Sequence, residues 1–243
     1  MSTLLQKVKS ILSASSLAPG SQGDLEQKLA DLPARFAQAL LSMYRGEPQI
    51  GSDGKTYNID GTTRISPEQG IWIYNLCRET KPESTFEIGL AYGFSTLYFL
   101  AAIHANGSGT HLAVDPFQEG HWHGIGIERA RIVGMTRAFQ FANETSVTAL
   151  TRCAGEGVKF EIIFIDGNHR FDDVLVDFIL AIPICKQGGH IILDDTWMPS
   201  IQKAVAFIGK NRTDFTQVRG MGHMAVFRKT GTDAREWSHF VSF

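Results

Sequence analysis

The chain has 243 residues, enough for one large domain or a domain with an appended segment, and enough to bury a substantial core. Hydrophobic residues make up 43% and charged residues 20%, which excludes a disordered or fibrous chain. A net charge of −2 leaves no electrostatic footprint for nucleic acid or an anionic membrane surface.

Met1 to Ser15 carries Lys7 and Lys9 among interrupted apolar residues, which predicts an amphipathic helix and argues against a signal peptide. No apolar run approaches the length of a membrane span. Cys77, Cys153 and Cys185 are scattered without metal-type spacing and read as reduced, buried thiols, so a cytoplasmic protein is expected. The turn-rich stretch Ser16 to Asp24 precedes a helix expected over Leu25 to Tyr44, with Asp24 as its cap. Such an amphipathic segment suits contact with a partner subunit, so a homo-oligomer is one expectation. Gly51 to Thr62 reads as a loop, and Pro67 opens the next helix. Residues 1–65 are therefore expected to form a helical extension, a lid or subunit contact, ahead of a domain spanning 66–243.

From Ser84 onward the pattern becomes strand, loop, helix, repeated. "TFEIG", "THLAV", "EIIFID" and "HIILDD" are short β-rich runs, with a weaker strand near Phe139. This alternation predicts an α/β fold, a doubly wound and mostly parallel sheet with helices on both faces. Strands near Asp214 to Val218 and His223 to Lys229 lie too close for a crossover helix and should form an antiparallel edge hairpin. Ligands in such sheets bind outside the carboxyl ends of the strands, which gathers Glu87, Asp115, Asp166, Asp194 and Asp195 around one crevice.

Gly89 and Gly93 stand in the first strand-to-helix turn, where a backbone can approach a ligand closely. The helix beginning near Ser95 points its N-terminus at the same place. Asp115, at the end of the second strand, is positioned to accept hydrogen bonds from both ribose hydroxyls of an adenosine. The dinucleotide-binding glycine pattern is absent, because Ala91 holds its middle position.

Asp166, Asp194 and Asp195 converge from two strand ends and make a hard oxygen site suited to Mg²⁺, Mn²⁺ or Ca²⁺. A cation also relieves the repulsion between adjacent carboxylates. His169, three residues after Asp166, is a candidate proton acceptor or metal ligand, with a loop histidine bonded to backbone as the plain alternative. Asp172 and Asp173 read as helix-start acids, and Cys185 as core. His121, Trp122, His123, Trp197 and Met198 are expected at the rim.

"E-I-G-x-x-x-G-x-S-T", "V-D-P-F", "F-I-D-G-N-H" and "G-G-H-I-I-L-D-D" together resemble the class I S-adenosylmethionine-dependent methyltransferases. Among these, they resemble the divalent-metal small-molecule O-methyltransferases of catechol and macrolide-sugar type. The resemblance spans roughly residues 65–229. It implies a seven-stranded sheet, S-adenosyl-L-methionine as cofactor and a polar small molecule as methyl acceptor. It implies that Glu87, Gly89 and Gly93 line the methionine and ribose side, and that Ser146 lies near the adenine. It also implies that Asp166, Asp194 and Asp195 hold the metal, although Asn168 stands where relatives often have an acid. Rival readings are a metal-independent methyltransferase using His169, a non-catalytic nucleotide-binding protein, and an iron oxygenase, which would need a second histidine from His121 or His123.

Overall fold

The computed structural model describes residues 22–243; the helix expected over the first fifteen residues lies outside them. The helix expected over Leu25 to Tyr44 is two helices, α1 (Gln22–Leu29) and α2 (Ala34–Tyr44). Pro33 stands at the N-cap of α2 with an extended backbone, φ −56° and ψ 134°. Proline disfavours helical geometry in the residue before it, so the periodicity breaks there. Asp24 lies inside the first turn of α1, bonded to Lys28, instead of capping from outside. Within the expected loop, β1 (Gln49–Ile50) and β2 (Thr56–Tyr57) pair as a small antiparallel ribbon. Then α3 (Pro67–Thr80) starts on a capping box, Ser66 and Gln69 bonding each other's backbone N–H, with Pro67 at the first position.

The alternation that follows is β3 (Ser84–Ile88), α4 (Phe94–Asn106), β4 (Thr110–Val114), α5 (Ile125–Ile132), β5 (Phe139–Ala142), α6 (Ser146–Gly155), β6 (Phe160–Ile165), α7 (Phe171–Ala181), β7 (Cys185–Leu193), α8 (Pro199–Asn211), β8 (Phe215–Val218) and β9 (Ala225–Lys229). The strand order is β5-β4-β3-β6-β7-β9-β8. Strands β3 to β7 are parallel, and β9 runs antiparallel to both β7 and β8. The expected α/β class, seven strands and antiparallel edge are all present.

Side chains alternate across the sheet with the period of two that strands impose. Phe86, Ile88, Ile163, Ile165, Ile191 and Leu193 join the core under α6, α7 and α8. Ile162, Phe164, Ile192 and Val226 join the other core, with α1 to α5. Glu87 also faces the α4 side, because it alternates with Phe86 and Ile88. The order of the chain reverses between β3 and its two neighbours, β4 and β6. A crevice therefore opens at their carboxyl ends, and the candidate residues collect there.

Candidate functional site

The glycine-rich turn after β3 is pressed against the neighbouring strand end. A Cβ at Gly89 (φ +93°) would sit 2.1 Å from the backbone oxygen of Asp166, so only glycine fits. Across the turn, Gly93 meets Gly126 at the start of α5, where a Cβ would come within 3.1 Å of the Gly126 Cα. Between them Ala91 holds φ +43°, a left-handed value that costs energy outside glycine.

Four of the expected cofactor residues, Glu87, Ser95, Asp115 and Ser146, are tied into the protein. Glu87 is fully buried; Ser95 and Thr96 donate their hydroxyl hydrogens to its carboxylate, and His111 Nε2 lies 3.0 Å away. This network anchors the start of α4 beneath the turn, and His111 is a member that the sequence pattern did not single out. Asp115 is also buried. Its Oδ1 accepts from Phe117 N (2.8 Å), and its Oδ2 from Ala91 N (2.9 Å) and Gln118 Nε2 (3.1 Å). Asp115 thereby holds the turn closed from the second strand. Ser146 opens α6 and bonds buried Asp177, whose pKa burial raises to about 6 and Ser146 draws back.

At the other end of the crevice, single ligand atoms of Asp166, His169 and Asp195 lie within 4.8 Å of one another. His169 Nε2 is 2.8 Å from Asp195 Oδ2 and 3.6 Å from Asp166 Oδ1. Nε2 is out of contact with water, and no carboxylate is aligned to receive a hydrogen bond from it. The three groups lie close enough together to share one ion. Asp195 takes φ +55°, which swings its carboxylate toward His169, and Trp197 Nε1 donates to its Oδ1 at 2.7 Å.

Asp194 stands behind this group. It is buried, and it accepts from Gln69 Nε2 at 2.6 Å. Gln69, in the first turn of α3, thus serves both the helix cap and the site. Its only signal in the sequence is its place three residues after Ser66.

The expected rim is present in part. Trp197 is 47% exposed beside Asp195, whereas Met198 packs into the core under α8. His123 stacks on Tyr57 at 3.8 Å, and His121 packs edge-on against Trp122. Among the described residues neither joins the Asp166 group, so the two histidines an iron oxygenase needs are not assembled.

Burial raises Asp166 to about 6, with the Asp195 charge adding and His169 opposing. Burial raises Asp194 to about 8, reinforced by Asp166 and Asp195. His169, flanked by Asp166 and Asp195, is raised to about 10. Burial opposes the ionised form of Asp195, but His169 and Trp197 still hold it below the usual carboxylate range. A folded chain that keeps a proton on Asp194 up to about pH 8 loses stability as pH rises from about 4 to 8, because the unfolded carboxyl releases that proton near 3.8. Asp194→Asn keeps an acceptor for Gln69 and removes the titration. In excess chelator, its melting temperature should fall less between pH 5 and pH 8 than the parent's; equal slopes would contradict this assignment.

Comparison with known proteins bears on the same region. Residues 86–196 match a family model described as a methyltransferase domain. One curated relative, an uncharacterised protein of Acanthamoeba polyphaga mimivirus, is 39% identical over 49 residues; the match covers 18% of this chain and only 22% of that protein. A solved O-methyltransferase from Bacillus cereus in complex with S-adenosylhomocysteine is 16% identical, with TM-score 0.56, covering 91% of this chain and 96% of its own. The O-methyltransferase TomG from Streptomyces achromogenes, in complex with S-adenosylmethionine, is 15% identical, with TM-score 0.57, covering 93% and 96%. A putative O-methyltransferase from Klebsiella pneumoniae is 16% identical, with TM-score 0.56, covering 92% and 96%. With the β5-β4-β3-β6-β7-β9-β8 sheet, the glycine turn and the strand-end acids, the chain has the fold of these solved O-methyltransferases, and its residues 86–196 match the methyltransferase domain.

Proposed function

We propose that this protein is an O-methyltransferase, transferring the methyl group of S-adenosylmethionine to a hydroxyl of a polar small molecule with neighbouring oxygens, such as a sugar diol or a catechol. We further propose that a divalent cation, Mg²⁺ or Mn²⁺, assists. The observation that carries the reading is the convergence of Asp166, His169 and Asp195 at the carboxyl end of the sheet, beside the glycine turn. The O-methyltransferase neighbours with bound S-adenosylmethionine or S-adenosylhomocysteine support the choice of cofactor.

The carboxylates fit a hard cation, Asp166 and Asp195 beside the imidazole of His169 and a third, Asp194, immediately behind. Asp166, Asp195 and His169 would hold it, with Asp194 steadied by Gln69. The cation supplies polarisation of the acceptor hydroxyl, lowering its pKa.

The reaction joins the acceptor oxygen to the methyl carbon while the carbon–sulfur bond breaks and sulfur leaves as a thioether. The sulfonium methyl is already a strong electrophile, so the protein mainly aligns the two reactants. Glu87, through Ser95 and Thr96, and Asp115, through Ala91, fix the turn that cradles the cofactor. The hydroxyl proton passes to a carboxylate of the site; His169 takes it only where no cation holds its Nε2. Trp197, exposed next to Asp195, can cover the acceptor and exclude water. The three cysteines are free and buried, in keeping with a cytoplasmic protein. Among the described residues, no helix is long and apolar enough to cross a membrane.

Incubating the protein with methyl-labelled cofactor and a panel of acceptors tests the reading. Label should enter molecules with adjacent oxygens; transfer confined to amines or isolated hydroxyls would refute it. Asp115→Ala should weaken S-adenosylhomocysteine binding by about 10- to 100-fold, the loss of a charge-assisted hydrogen bond to the ribose and of the bonds that close the turn. Unchanged affinity by calorimetry would defeat the assignment of Asp115.

A further inference from the structure

The loop after Asp115 folds back on itself. Phe117 N bonds the Asp115 carboxylate, His121 N bonds Phe117 O at 2.9 Å, and Gly124 N bonds Gln118 O at 2.7 Å. Phe117 is 63% exposed, but the next residue, Gln118, is completely buried. An amide taken out of water is costly unless both its ends are bonded. Only one end is: Gln118 Nε2 donates to Ala91 O at 2.7 Å and to Asp115 Oδ2 at 3.1 Å. Those two acceptors also fix which way the amide points, since a flipped amide would set its oxygen against two other oxygens. Gln118 Oε1 therefore faces away from them, buried and without a partner.

A carboxylate offers about four acceptor positions. Asp115 has spent three of them, on Phe117 N, Ala91 N and Gln118 Nε2. One remains, whereas a ribose presents two hydroxyl donors. The structure therefore lacks room for Asp115 to receive both, and it provides a second buried acceptor on the residue bonded to Asp115. We propose that Gln118 is a cofactor-positioning residue, its Oε1 accepting one ribose hydroxyl of S-adenosylmethionine while Asp115 accepts the other. The proposal rests on the cofactor reading above and adds to it the residue that divides the ribose with Asp115. It also accounts for a glutamine that is completely buried within a surface loop. Because the same amide grips Ala91 O, the ribose and the glycine turn are positioned by one side chain.

Calorimetry of the full chain with S-adenosylhomocysteine and with its 2′-deoxy and 3′-deoxy analogues reads each hydroxyl separately. In the parent, each analogue should bind roughly 5- to 30-fold more weakly than S-adenosylhomocysteine, the effect of one lost hydrogen bond that leaves a buried acceptor unpaired. In Gln118→Met, one of the two deletions should cost less than about 2-fold while the other keeps its cost, since the acceptor for that hydroxyl is already gone. A dispensable hydroxyl in the parent would overturn the proposal, because Asp115 alone can serve the other. So would a folded Gln118→Met that loses as much as the parent with both analogues. If that variant fails to fold, the parent's two analogues decide the matter. A parent that binds S-adenosylhomocysteine normally but ignores one hydroxyl overturns this proposal alone; a parent that binds none overturns it together with the cofactor reading.

Discussion

Asp195→Ala should lower methyl transfer by about 10²- to 10³-fold while leaving S-adenosylhomocysteine affinity within about 2-fold of the parent. The reason is positional. Asp195 is one of the three groups whose donor atoms lie within 4.8 Å of one another, whereas the groups fixing the glycine turn are Glu87 and Asp115. Without Asp195, His169 keeps only Asp166, at 3.6 Å, and the site has one carboxylate where two faced the same nitrogen. Chelator should abolish turnover of the parent, and Mg²⁺ or Mn²⁺ should restore it; the variant should not recover at the same concentrations. Full activity in excess chelator, with Asp195→Ala as active as the parent, would favour the metal-independent methyltransferase. That alternative faces a difficulty of its own. Flanked by Asp166 and Asp195, the His169 ring is raised to about 10 and is protonated near neutral pH, so it has no free lone pair to accept a proton. Neutralising those carboxylates returns the ring toward its ordinary range.

The centre of the sheet could be read from the sequence because β3, β4, β6 and β7 are short apolar runs ending at an acid or a glycine, and such runs have few other homes. "EIIFID" and "HIILDD" carried both the strand and the site at its end. What lay beyond local pattern was the direction of each side chain. Asp194 and Asp195 follow the end of β7 and part company because the backbone leaves the extended form there: Asp194 turns to Gln69 on α3, and Asp195 reaches His169 through a left-handed backbone. Gln69 is far away in sequence, and its cap signature says nothing about a second partner. Gln118 looked like an ordinary polar loop residue, because its burial comes from the way the loop closes over Ala91. Pro33 was a local signal, but the apolar spacing on either side of it suggested one continuous helix.

The second large effect lies in the N-terminal helices. Phe36→Ala should cost about 3–5 kcal/mol of unfolding free energy, the usual range for removing a buried aromatic ring and leaving a cavity. The sequence of α4 contains the cause. "FSTLYFLAAI" has no polar face, and all ten residues from Phe94 to Ile103 are buried. A helix of that kind must be covered on the side away from the sheet. The cover is α2 and α3: Phe36, Leu40 and Met43 belong to the same core as Leu97, Tyr98 and Phe99, and the hydroxyls of Tyr44 and Tyr98 meet at 3.1 Å. On α3, Gly70 leaves space for the Tyr98 ring, where a Cβ would come within 2.1 Å. Phe36 is fully buried in this layer, so its loss should lower the denaturant midpoint without changing the slope of the transition. At temperatures where the variant remains folded, cofactor affinity should stay near the parent's, because the turn and Asp115 are bonded elsewhere. A change in unfolding free energy below about 1 kcal/mol would mean that α2 rests on α4 without helping to hold it, and that some other surface covers the apolar helix.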